Sequence, residues 1–165
     1  MAVAPPSLLR RTSSQFGSNP VSINLVAQSL RAFSTDEPTI TRDGIRVDQG
    51  GWSIDASVGP TVRLFEVTNP EVEQCLLTYR AEMKTEDLKG RAYLEMWCRL
   101  PGRGEFFSKG LRQVVSGTNN WSNHEIPFYL KKHQKPDLIK LNVIVEGTGK
   151  VWLRNIELLQ TQLKA

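Results

Sequence analysis

The chain has 165 residues, of which 39% are hydrophobic and 23% charged, a composition typical of one folded domain with its own core. No run of about 18 apolar residues occurs, so the sequence predicts no transmembrane helix. All 17 acidic residues lie after residue 35, together with all but three of the 21 Lys and Arg residues. Because this part of the chain is nearly neutral, it lacks the clustered positive charge that nucleic acid requires, and we predict no nucleic-acid partner.

Residues 1–35 contain arginine and many serines but no Asp, Glu or Lys. This composition is typical of a mitochondrial transit peptide and predicts a location in the matrix or on the matrix side of the inner membrane. Arg31, Phe33 and Ser34 resemble a matrix-processing site, with Arg two residues before the aromatic residue and cleavage after Phe33. A disordered or docking arm is the alternative. The sequence thus predicts a leader over residues 1–35 and a folded domain over residues 38–162.

The folded domain is divided by turn residues every 8–12 positions, which favours many short strands. Asp43-Gly44 predicts a tight hairpin between residues 39–42 and 45–48. We therefore predict an all-β fold, an antiparallel two-sheet β-sandwich of the jelly-roll type with about eight strands.

Three segments, residues 75–83, 93–100 and 139–146, alternate between two faces with the period of a β-strand. The only helix-like stretch, residues 82–89, ends at Gly90, and we interpret it as a strand end and loop. The alternation predicts the following core residues: Cys75, Leu77, Tyr79, Ala81, Met83, Leu94, Met96, Cys98, Leu100, Ile139, Leu141, Val143 and Val145.

Several motifs resemble the galactose-binding-like jelly rolls of carbohydrate-binding modules and of many uncharacterised bacterial proteins. These motifs are the run Thr78–Trp97, Ser116-Gly117-Thr118-Asn119-Asn120-Trp121, Pro127-Phe128, and Glu146-Gly147-Thr148-Gly149-Lys150-Val151-Trp152-Leu153. The resemblance implies the fold more than the function, since this fold supports sugar binding, protein docking and purely structural roles. The last strand of the family often carries an Asp that can hold calcium. Here Arg154 and Asn155 occupy those positions, and we predict no metal. The alternative is a calcium site that uses Glu157 with Asp36 or Glu37.

The residues that usually carry catalysis are sparse. His124 and His133 are not placed beside a nucleophile motif, and Cys75 and Cys98 fall on predicted core faces. Glu82, Glu95 and Glu146 could share a face, as a glycosidase requires, although a solvated sheet surface explains them equally well. The sequence therefore predicts that the protein is not an enzyme and uses no cofactor.

The polar sides of the alternating segments combine aromatic, charged and amide groups. Such a face suits a sugar, whose ring stacks on aromatic side chains and whose hydroxyls bond to polar ones, and it equally suits a protein interface. The alternative is that these side chains merely cover the sheet, and we assign Trp121 and Trp152 to packing. The predicted binding face consists of Arg80, Tyr93, Glu95, Trp97, Arg99 and Asn142.

Two functions follow from these features. The leader and the lack of catalytic motifs favour an accessory subunit or assembly factor of a mitochondrial complex, with other protein subunits as partners. The alternative is a carbohydrate-binding module with a glycan as its ligand. The sequence favours the first, and the compartment of the protein discriminates between them.

Overall fold

The structure, a computed structural model, describes residues 26–163, with the side chain of Val58 excepted. It contains eight strands and one turn of 3-10 helix, Ala56–Val58. All strand pairs are antiparallel, which confirms the predicted all-β fold. The strands are β1 Ala27–Ala32, β2 Ile45–Asp48, β3 Gly51–Asp55, β4 Thr61–Thr68, β5 Cys75–Leu100, β6 Gly104–Lys109, β7 Val115–Tyr129 and β8 Leu138–Gln162.

Two strands, β5 and β8, are long enough to run through both layers of the sandwich. Residues 75–86 of β5 pair with residues 150–162 of β8 along one edge, and with β7 along the other edge. Strands β3 and β1 pair with the same half of β8, and β2 pairs with β3. Together with β7 and these halves of β5 and β8, they form the first sheet. The second sheet contains β6, residues 89–100 of β5, residues 138–148 of β8, and β4.

The chain turns from one sheet to the other at a corner built from paired glycines. Gly90 lies opposite Gly147, and both adopt positive φ angles, 132° and 106°. A Cβ atom on Gly90 would lie 1.8 Å from the carbonyl oxygen of Glu146, and one on Gly147 would lie 1.8 Å from that of Lys89. Only glycine permits both the backbone angle and this close approach of two strands.

The core lies between the two sheets, and the alternation predicted it correctly. All thirteen residues that we predicted to face the core are buried. Tyr79 spans the layers, since its hydroxyl on the first sheet donates to the backbone oxygen of Asn142 on the second, at 3.1 Å. Burial raises the pKa of the Cys75 thiol to about 11 and that of Cys98 to about 12, so both remain protonated small apolar groups.

The predicted hairpin at Asp43-Gly44 is wrong. Residues 39–42 form no strand, and the tight hairpin joins β2 to β3 through Gln49 and Gly50, whose φ angles are 53° and 74°. Two positive φ angles in succession give a turn whose twist matches that of the strands. Ile40 and Thr41 instead donate backbone hydrogen bonds to β4 at 3.0 and 2.8 Å, and so cover its outer edge.

Part of the segment predicted as a leader lies in the folded domain. Strand β1 pairs with β8 over residues 157–161, and the next residue, Phe33, is only 7% exposed. Its ring stacks on Phe65 with centroids 4.3 Å apart. Residues 1–25, which carry most of the transit-peptide composition, lie outside the described residues. Within residues 26–163, no helix is long and apolar enough to cross a bilayer.

Candidate functional site

The outer face of the second sheet carries five of the six residues in the predicted binding face. Tyr93, Glu95, Trp97 and Arg99 occupy alternate positions of β5, and Asn142 lies opposite Glu95 on β8. Tyr93 and Glu95 are each only 5% exposed, so neither offers much surface to a ligand. The sequence shows which side of a strand is polar, but not how deeply neighbouring strands bury it.

The polar groups of this face are largely bonded to one another. The Asn142 Nδ2 donates to Glu95 Oε1 at 3.0 Å, and Lys109 Nζ lies 3.7 Å from the other oxygen of that carboxylate. Arg99 donates to both oxygens of Asp137, at 2.8 and 3.2 Å, and these hydrogen bonds hold the pKa of Asp137 below its ordinary value. Trp97 is half-buried against Phe107, with ring centroids 5.2 Å apart.

Arg80, the sixth predicted residue, lies apart from the others because it belongs to the first sheet. There it borders a cleft of about 670 Å³, which is within the range of ligand sites. The cleft is lined by Ala32, Phe33, Arg80, Ala81, Glu82, Gln113, Asn123, His124, Glu125, Asn155, Ile156 and Glu157.

Three neighbouring strands position the polar groups of the cleft. Arg80 on β5 lies opposite Glu125 of β7 on one side and Glu157 of β8 on the other. Two residues along β5, Glu82 lies opposite Asn123 of β7. Because residues two apart share a face of a strand, the pairing collects these side chains on one side of the sheet. Gln113 joins them from the segment before β7, where its Oε1 accepts from the Glu125 backbone N–H at 3.2 Å.

Hydrogen bonds fix two of the carboxylates in the cleft. Arg80 donates from Nε and Nη2 to Glu157 Oε1, at 3.1 and 2.7 Å. Arg154 donates in the same way to Glu82 Oε1, at 3.1 and 2.9 Å, and Asn155 Nδ2 donates to Glu82 Oε2. Thus Arg154 and Asn155, at the positions where the resemblance implied a calcium-binding Asp, both hold Glu82.

These contacts favour the ionised form of both carboxylates. Hydrogen bonds from Asn155 and then Arg154 lower the pKa of Glu82 below its ordinary value. Burial alone raises the pKa of Glu157, but hydrogen bonds from Ser29 and Arg80 outweigh that effect, and its pKa is also lowered. Ionised carboxylates and amides accept or donate hydrogen bonds in fixed directions, which is what a polyhydroxylated ligand requires.

An aromatic ring lies beside this network. The guanidinium carbon of Arg154 is 4.0 Å from the ring centroid of Trp121, which is half-buried. Trp152 is different, because it is 5% exposed and its Nε1 donates to Asp48 Oδ2 at 2.9 Å. Trp152 is therefore buried, in line with the packing role that we predicted. Trp121 instead contacts Arg154, which in turn bonds to Glu82 in the lining of the cleft.

The residues considered for catalysis do not form one site. Glu82 lies on the first sheet, whereas Glu95 and Glu146 lie on the second, so the three carboxylates do not share a face. His124 lines the cleft with Nε2 2.9 Å from Ser122 Oγ, and burial lowers the pKa of this histidine, which favours the neutral ring. Among the described residues, no group of three or more His, Cys, Asp or Glu is placed to hold a metal ion.

Comparisons with known proteins bear on the fold. No family model matches the sequence, and no curated protein sequence matches it. A structure of a family 4 carbohydrate-binding module, CBM4, superposes with a TM-score of 0.51 at 12% identity, covering 72% of this chain and 76% of that one. The fold is a galactose-binding-like jelly roll.

Two further superpositions have lower TM-scores. The CBM22-1 xylan-binding domain of Paenibacillus barcinonensis Xyn10C gives 0.47 at 12% identity, covering 84% of this chain and 98% of that one. CBM29_1 of Piromyces equi gives 0.49 at 10% identity, covering 82% and 91%. At 12% identity the CBM4 superposition concerns the fold alone.

Sequence reasoning missed most of the cleft. The alternation of β5 shows that Arg80 and Glu82 share its polar side, but their partners Asn123 and Glu125 lie on β7, where the sequence predicted no site. Residues 122–128 alternate in the same way, and in the structure His124 and Ile126 are buried whereas Glu125 is not. The sequence thus shows the alternation of β7, but it does not show that β7 pairs with β5.

Proposed function

We propose that this protein is a non-catalytic carbohydrate-binding module whose glycan occupies the cleft on the first sheet. The observation that carries the proposal is the cleft itself, an open surface on a jelly roll where Arg80 holds Glu157 and Arg154 holds Glu82 by hydrogen bonds. Groups that are already oriented lose little entropy when they bind the hydroxyls of a sugar. The CBM4 superposition supports the fold on which such a cleft is built.

The charge of the cleft favours a neutral glycan. Its lining contains three carboxylates, Glu82, Glu125 and Glu157, and the guanidinium of Arg80, while a second guanidinium, that of Arg154, bonds to Glu82 from beside the cleft. A uronic acid or sulfated sugar would bring negative charge close to these carboxylates, which costs binding free energy. We therefore expect neutral polysaccharides such as xylans, glucans or mannans to bind in preference to pectate or heparin.

Two arginines on opposite outer faces provide a matched test. Arg80 and Arg99 are 51% and 49% exposed, and each donates two hydrogen bonds to one carboxylate, Arg80 to Glu157 and Arg99 to Asp137. Arg80 borders the cleft, whereas Arg99 belongs to the predicted face of the second sheet. After a screen of neutral polysaccharides, calorimetry on the bound glycan should show that R80A weakens affinity about tenfold or more. We expect R99A to change it little.

The opposite outcome is equally informative. If R99A abolishes binding and R80A does not, the glycan lies on the second sheet and the cleft is not the site. If no neutral polysaccharide binds the wild-type protein, the proposed function fails. The role of an accessory subunit in a mitochondrial complex stays a prediction, since the transit-peptide composition that motivates it lies mainly in residues 1–25.

A further inference from the structure

Exposed apolar side chains concentrate on one side of the sandwich. Among the described residues, five of the eight large hydrophobic side chains that are exposed lie on β6, on the segment that joins it to β7, or at the end of β7. Their exposed fractions are Phe106 44%, Phe107 55%, Leu111 51%, Val114 41% and Tyr129 62%. Such a concentration marks a surface for contact with another protein surface.

The backbone of β6 is open to a further strand. β6 is the terminal strand of the second sheet, and among the described residues it pairs only with β5. Four of its six residues are exposed, including both phenylalanines. A terminal strand with aromatic side chains and free backbone groups is a template for antiparallel pairing with another chain.

The sequence of β6 is complementary to itself. Glu105 and Lys109 lie two residues before and two residues after Phe107. In an antiparallel pair centred on Phe107, each Glu105 therefore lies opposite the Lys109 of a second copy, and the two Phe107 rings face each other. These three positions share one face of the sheet, on which Glu105 pairs with Arg99 and Phe107 with Trp97 of β5.

We propose that the protein forms a symmetric dimer through antiparallel pairing of β6 with β6 of a second copy. The pairing gives two Glu105–Lys109 ion pairs and extends the Trp97–Phe107 contact into a row of four aromatic rings. Opposite charges and aromatic pairs directly across an antiparallel ladder stabilise it. Within one chain Glu105 bonds to Lys140 at 2.9 Å and Lys109 lies 3.7 Å from Glu95, but the side chains of Glu105 and Lys109 are still 39% and 30% exposed, so both can reach a second copy.

Two charge reversals test the register. E105K places lysines at both positions and K109E places glutamates there, so each variant repels its own copy. Sedimentation equilibrium should show a concentration-dependent dimer for the wild-type protein and about tenfold weaker self-association for each variant. An equimolar mixture of the two variants restores opposite charges at both sites and should restore the dimer. A folding defect in either variant would not be repaired by mixing.

Cysteine cross-linking provides an independent test. Two Phe107→Cys chains place the new thiols directly opposite each other, within the span of a disulfide. Ser108→Cys is the matched control, because Ser108 lies opposite Phe106 and two Ser108 positions are out of register by two residues. The native thiols Cys75 and Cys98 are buried and do not compete. We expect oxidation to link F107C and not S108C.

Several outcomes would overturn the proposal. These are a wild-type protein that stays monomeric, charge variants that dimerise as tightly as the wild type, a mixture that fails to recover, or cross-linking of S108C in place of F107C.

Discussion

Removal of residues 1–33 tests whether β1 and Phe33 belong to the stable domain. This truncation starts the chain at Ser34, where the processing pattern predicts cleavage. It deletes the whole of β1 and the ring that stacks on Phe65. We expect a large loss of stability relative to a chain that starts at Val26.

The magnitude follows from what each deleted part buries. The side chains of β1 are exposed except for Leu30, so the strand contributes mainly backbone hydrogen bonds, whose net effect is small after the cost of ordering the chain. Phe33 is 7% exposed, and replacing a buried Phe by Ala costs about 3–5 kcal/mol. Most of the loss should therefore come from Phe33, and in a domain of this size it corresponds to a fall in Tm of roughly 10 °C.

Urea denaturation and thermal melts on three proteins measure the separate contributions of β1 and Phe33 to stability. These are the chain from Val26, the chain from Ser34, and the chain from Val26 with Phe33→Ala. We expect the second and third to lose similar free energies of unfolding. If the chain from Ser34 is as stable as the chain from Val26, the assignment of β1 to the domain is wrong. If F33A costs less than about 1 kcal/mol while the truncation costs several, the strand and not the ring provides the stability.

Two further predictions concern the corner and the cleft. G147A should lower the free energy of unfolding by about 3 kcal/mol or more, because the new Cβ meets the Lys89 oxygen at a positive φ. G102A, at φ 76° with nothing within 4 Å, should lower it by about 1–2 kcal/mol. Equal losses in urea denaturation would contradict a clash at the corner. Burial lowers the pKa of His124, so the unfolded chain takes up its proton first and stability falls as the pH drops below about 6.5. H124Q should reduce the fall in Tm between about pH 7.5 and 5.5. An unchanged dependence of Tm on pH would refute this role of His124.

The alternation of polar and apolar residues predicted the core because burial between two sheets imposes a period of two on each strand. Every position of β5 and β8 that it assigned to the core, from Cys75 to Val145, is buried. It did not find β1, because a strand with one half-buried side chain has no apolar face to reveal it. The composition of residues 1–35 pointed instead to a leader.

The site was harder to predict than the fold because it depends on which strands become neighbours. Arg80 and Trp97 lie on the polar sides of the same strand, yet the corner at Gly90 places them on opposite outer faces of the sandwich. The sequence contains Gly90, but no local pattern distinguishes a glycine that turns a strand into another sheet from one that ends it. The cleft likewise depends on the register that sets Glu125 and Glu157 on either side of Arg80.

The continuity of β5 and β8 also determines how the molecule comes apart. A sandwich whose sheets are joined only by loops can lose one layer while the other persists. Here two strands of 26 and 25 residues carry one hydrogen-bonded ladder around the corner into both layers. Amide protons on the two layers should therefore exchange with solvent through the same global opening. A pulling force applied to one layer should likewise be transmitted to the other through the backbone of β5 and β8.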